Sequence, residues 1–78
     1  MVVGAVGEWL AKLSKGKAVI LDNDDLQNSA RSYLDSGFDS VRREDVLKVV
    51  AEVNSEEYPG FEMWDRPDGR WTLERRDR

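Results

Sequence analysis

Phe61-Glu62-Met63-Trp64-Asp65-Arg66-Pro67-Asp68-Gly69-Arg70-Trp71-Thr72-Leu73-Glu74-Arg75 reads as two short strands joined by a tight turn. Pro67 fixes φ for the second turn residue, Asp68 suits the third, and Gly69 supplies the left-handed residue that closes a hairpin with a small bulge. Counting outward from that turn places Arg66 opposite Arg70, Asp65 opposite Trp71, Trp64 opposite Thr72 and Met63 opposite Leu73. Side chains alternate along a strand, so Phe61, Met63, Trp71 and Leu73 share one face, and Glu62, Trp64, Arg70, Thr72 and Glu74 share the other. An isolated hairpin is marginal in water, so its apolar face requires cover from the rest of the chain.

The preceding elements supply that cover. Ala5, Val6, Trp9, Leu10 and Leu13 recur at helical spacing and predict an amphipathic helix from roughly Gly4 to Ser14, with Gly16 placed to end it. Lys17-Ala18-Val19-Ile20-Leu21 is short, β-branched and bounded by Gly16 and Asp22, and predicts a strand that joins the hairpin. Asp22-Asn23-Asp24-Asp25 offers N-cap side chains to a second helix that carries Leu26, Ala30, Tyr33 and Leu34 on one face to about Ser36, before Gly37 and Phe38 terminate it. A third helix follows from Val46, Val49, Val50 and Val53, with Leu47 broadening the stripe. Asp39 or Ser40 caps it, or it begins nearer Glu44, because Arg42 and Arg43 oppose the helix dipole in a first turn. Asn54 ends it, residues 55–60 lead into the hairpin, and the last residues from Arg75, residues 76–78 above all, read as a frayed tail.

The expected fold is therefore α+β, three helices on a three-stranded antiparallel sheet in the order α-β-α-α-β-β. Over about residues 4 to 75 this order resembles a compact winged helix, whose last hairpin is the wing. The resemblance implies a DNA-binding regulator that places the start of helix three and the hairpin tip on one duplex, through Arg42, Arg43, Lys48, Arg66 and Arg70.

Composition bounds the chemistry. The 78 residues, 40% hydrophobic and 36% charged, suffice for a single domain, residues 1–78, with one modest core. Without histidine or cysteine the chain lacks the usual neutral-pH base, thiolate nucleophile and transition-metal ligands. The expectation is a non-enzyme with no metal and no cofactor. Asp22 is followed by no calcium-loop spacing, and Gly4 and Gly7 form no phosphate loop and are read as loosening the N-terminus. The first residues lack a basic start, and Glu8 and Lys12 interrupt the apolar run, so neither export nor membrane insertion is expected. The cysteine-free composition suits a reducing cytoplasm.

A net charge of −4 argues against generic polyanion binding. Residues 21 to 60 carry ten acids against four bases, whereas residues 61 to 78 carry five of each. Asp22, Asp24 and Asp25, with Asp35 and Asp39, serve as helix caps or meet a basic surface on a protein partner. Arg42, Arg43, Arg66 and Arg70 hold phosphate or pair with Glu44, Asp45, Asp65 and Asp68. Trp9 and Trp71 fall on apolar faces and read as core. Trp64 falls on the opposite face with Arg70, Thr72 and Glu62, where it is either an interface anchor or shielded by the N- or C-terminal segment. The leading expectation is a small regulatory or inhibitory protein-binding module with Trp64, Arg66, Arg70, Asp22, Asp24 and Asp25 at its surface. The alternative is the DNA-binding regulator.

Overall fold

In the computed structural model, which describes residues 2–31 and 41–76, the chain is an α+β fold. Its elements are α1 (Gly4–Lys12), β1 (Ala18–Leu21), α2 (Asn23–Ala30), α3 (Arg43–Val53), β2 (Phe61–Asp65) and β3 (Trp71–Arg75). The antiparallel sheet has the order β1-β3-β2, so the last strand lies in the middle. The expected hairpin register is the observed one, with Met63 opposite Leu73, Trp64 opposite Thr72 and Asp65 opposite Trp71. β1 joins the other side of β3, with Val19 opposite Leu73 and Leu21 opposite Trp71.

The turn chemistry explains the register. The Gly69 N–H donates to the Arg66 carbonyl at 3.1 Å, the Arg66 N–H donates to the Arg70 carbonyl at 2.8 Å, and Gly69 has φ +83°. A Cβ at Gly69 would meet nothing within 4 Å, so only the backbone demands glycine there. Gly69→Val should therefore destabilise the fold by about 1 kcal/mol or more through strain at positive φ, whereas Gly69→Asn should cost less. Urea unfolding midpoints of the two variants check this.

The helices cover the sheet face that holds Val19, Leu21, Met63, Trp71 and Leu73. Val6 and Leu13 from the α1 region, Leu26 and Ala30 from α2, and Val46, Val49 and Val53 from α3 are buried against it. The Asp22 carboxylate accepts from the Asp25 N–H at 2.9 Å, and the Asp25 carboxylate accepts from the Asp22 N–H, giving α2 a reciprocal N-terminal cap. α3 begins after extended Arg42, as the later of its two expected starts requires. The Arg42 N–H donates to Asp45 Oδ2 at 3.0 Å and the Asp45 N–H returns to the Arg42 carbonyl, so buried Asp45 anchors the first turn.

Several expectations need correction. α1 stops at Lys12, and Gly16 instead makes the turn into β1, donating its N–H to the Arg75 carbonyl at 2.7 Å. Gly7 is a point of close packing, since a Cβ there would lie 2.5 Å from the Val2 carbonyl oxygen, and Gly4 lies against Ser29 of α2. Both fix the N-terminal segment; neither loosens it. Leu47 is exposed and does not extend the core stripe of α3. Trp9 is only half-buried, at the margin of the core, with the Lys12 ammonium 4.4 Å from its ring centroid. Arg75 and Arg76 are not a frayed tail. Arg75 lies in β3 and donates to the Leu13 carbonyl at 2.8 Å, while the Arg76 N–H donates to the Gly60 carbonyl at 2.7 Å. The expected continuation of α2 through Tyr33 and Leu34, its terminator Gly37 and Phe38, the acids Asp35 and Asp39, the alternative cap Ser40, and the tail residues Asp77 and Arg78 lie outside the described residues.

Candidate functional site

Among the described residues no helix covers the second face of the sheet, and its register sets what stands there. Ile20 pairs with Thr72, which pairs in turn with Trp64, so the three side chains form one row across all three strands. Thr72 sits at its centre and is buried, whereas Ile20 and Trp64 are 48% and 41% exposed. The next row holds Ala18, Glu74 and Glu62. Two carboxylates standing opposite each other would repel, and Arg76 offsets this by reaching Glu62 at 3.2 Å and Glu74 at 3.0 Å. The bond to Glu74, followed by the charges of Glu62 and Glu74, raises the Arg76 pKa.

Toward the hairpin tip the row is bordered by Arg66, Arg70 and Asp22. Arg66 is half-buried and donates from Nη1 to Thr72 Oγ1 at 3.2 Å and from Nε to Asp68. Asp68 and Arg70 share a shallow depression with Asp22, Asn23 and Asp24 at the start of α2. The Trp71 indole N–H donates to Asn23 Oδ1 at 3.2 Å, which ties that helix start to the sheet. The structure thus sets Arg70 beside Asp22 and Asp24 at the hairpin tip, and sets Trp64 and Arg66 beside Thr72; it does not bring Trp64 to the acids of the α2 start. Asp25 is turned into the α2 cap.

The Asp68 carboxyl is held below the ordinary carboxylate range, chiefly by the Arg70 N–H it accepts, with desolvation opposing and the charges of Arg66 and Arg70 assisting. Because folding makes this carboxyl more acidic, its contribution to stability is complete above the unfolded value and is lost as pH falls through the folded one. Asp68→Asn keeps an acceptor for the Arg70 N–H and removes the charge. The variant should lose less of its melting temperature than wild type between neutral pH and the acid side of the carboxylate range, as thermal unfolding at the two pH values would read.

The basic candidates do not form an uninterrupted surface. Arg42 pairs with Glu44 at 3.5 Å, Lys48 with Asp45 at 3.7 Å, and Arg66 with Asp68 at 3.4 Å. Arg43 borders a small depression with Asn23, Gln27 and Val46 on the helical side, while Arg70 stands beside Asp22, Asp24 and Asp68. Ile20 was not singled out from the sequence, because Ala18-Val19-Ile20-Leu21 is apolar at every position and carries no alternation to say which residues face outward. Among the described residues no group of three or more acidic side chains is arranged to hold a metal ion, and no helix is long and apolar enough to cross a membrane. Comparison with protein-family models, with curated proteins and with solved structures finds no match to this chain.

Proposed function

We propose that this chain is a non-enzymatic, regulatory or inhibitory protein-binding module that docks its partner on the helix-free face of the sheet, with Trp64 as the anchor. The observation that carries this reading is the row Ile20, Thr72, Trp64, in which two large apolar side chains stand exposed on either side of a buried threonine. Charged side chains border the row on both flanks, Arg66, Arg70 and Asp22 on one and Glu62, Glu74 and Arg76 on the other. An apolar centre carrying an aromatic anchor inside a polar rim is the anatomy of a protein interface. The Thr72 hydroxyl and the Arg66 guanidinium already bond each other, which orders the centre before a partner arrives. The lack of cysteine is consistent with a cytoplasmic setting for this binding.

A DNA-binding role is the second reading. Its support is the resemblance in element order to a winged helix and the nearness of Arg43 and Arg70 to the α2 start, each lining a depression with Asn23. Against it stand the net charge of −4 and the acids interleaved with the basic candidates. Capture from a source lysate with and without nuclease separates the two. Under the protein-binding reading the captured species are proteins, nuclease leaves the yield unchanged, and Trp64→Ala lowers it. Under the DNA reading the purified chain binds duplex at moderate salt, and Arg42→Ala with Arg70→Ala lowers both affinity and the salt slope. Nuclease-sensitive capture together with duplex binding would overturn the protein-binding reading.

A further inference from the structure

The two edges of the sheet are treated differently. On the β2 edge the Asn54 side chain acts as a substitute strand, accepting from the Met63 N–H at 2.9 Å and donating to the Met63 carbonyl at 3.0 Å. The Phe61 N–H on the same edge donates to the Tyr58 carbonyl. Met63 therefore turns its backbone groups away from β3, which makes Met63 and Leu73 a non-hydrogen-bonded pair and points the Leu73 groups toward β1. The bonds of Arg75 to Lys17 and Gly16 follow the same alternation. Val19, opposite Leu73, faces inward, so Ala18 and Ile20 present their N–H and C=O groups at the outer edge of β1. Among the described residues no side chain plugs this edge as Asn54 plugs the other.

We infer that the β1 edge pairs with the β1 edge of a second copy of this chain, antiparallel about a two-fold axis at Val19. That register sets Ala18 opposite Ile20 of the partner in both directions, so the outward groups of both residues meet as hydrogen-bonded pairs. Charge complementarity selects the antiparallel copy. Lys17 precedes the strand and Asp22 and Asp24 follow it, so self-pairing lays the basic end of each strand along the acidic end of the other. Lys17 on an open edge discourages indiscriminate strand addition, and this arrangement gives it a favourable place. Pairing also brings the two half-exposed Ile20 side chains diagonally together on the helix-free face, which becomes continuous across six strands. A four-residue edge makes a small interface, so the dimer is weak and reversible, with a dissociation constant of about 0.1 to 1 mM.

Sedimentation and NMR hydrogen exchange across that concentration range test this. Expected is a monomer–dimer equilibrium that weakens with salt, with the Ala18 and Ile20 amides becoming protected only as the dimer forms. Ala18→Pro removes an outward N–H at the first residue of an edge strand, where proline is tolerated, and should leave the chain monomeric. Should that variant fail to fold, Lys17→Glu changes only an exposed side chain and should weaken association about tenfold. Trp64→Ala should dimerise as wild type does, which separates this contact from partner docking. A chain that stays monomeric throughout the range, or a dimer in which the Ala18 and Ile20 amides remain unprotected, would overturn the inference.

Discussion

Trp71→Ala should lower the unfolding free energy by about 3 to 5 kcal/mol, because the indole is buried where the central strand begins on the sheet's covered face and a truncated site there cannot collapse fully. The loss has two sources. Packing against Leu21 and the helices disappears, and Asn23 Oδ1 loses the indole N–H that holds the start of α2 on the sheet. Trp71→Phe retains much of the ring area and loses the donor, so it should fall between wild type and alanine. Denaturant unfolding of the three proteins gives the order.

Asn54→Ala should destabilise by about 1 to 3 kcal/mol, since it removes two hydrogen bonds to Met63 at about 0.5 to 1.5 kcal/mol each. No other described group takes their place, because β2 has no strand beyond it. The variant also opens a second sheet edge. Its unfolding midpoint should fall, and its tendency to associate should rise with concentration, which light scattering alongside the melt would record.

These two residues mark what the sequence did and did not disclose. The burial of Trp71 was legible because Pro67, Asp68 and Gly69 define the turn, and from a fixed turn the alternation of a strand assigns every side chain to a face. The same count placed Trp64 on the exposed face and Met63 opposite Leu73. β1 was legible as a strand from its length and its β-branched residues, but its uniform apolarity concealed that Ile20 faces outward. The strand's pairing with β3, fixed together with the neighbouring bonds of Gly16 and Lys17 to Arg75, reveals it. The role of Asn54 was hidden for a different reason. A helix-ending asparagine looks alike whether its amide meets water or a strand edge, and only the return of β2 to the end of α3 distinguishes the two. Leu47 shows the converse error, in which helical periodicity was read as a wider apolar stripe than the core accommodates. Of the row on the outer face, Trp64 and Thr72 follow from the hairpin count, while Ile20 required the pairing of β1 with β3.

The proposed docking face is tested most directly by separating stability from binding at Trp64. Urea unfolding and nuclease-treated capture should be measured together on wild type, Trp64→Ala and Ile20→Ala. The account predicts that Trp64→Ala costs about 1 kcal/mol of stability, far less than Trp71→Ala, because its side chain remains substantially exposed. It also predicts that Trp64→Ala weakens capture by about 2 kcal/mol or more, roughly thirtyfold, with Ile20→Ala weakening it in the same direction. Equal destabilisation by Trp64→Ala and Trp71→Ala, or full capture of partner by a folded Trp64→Ala chain, would contradict it.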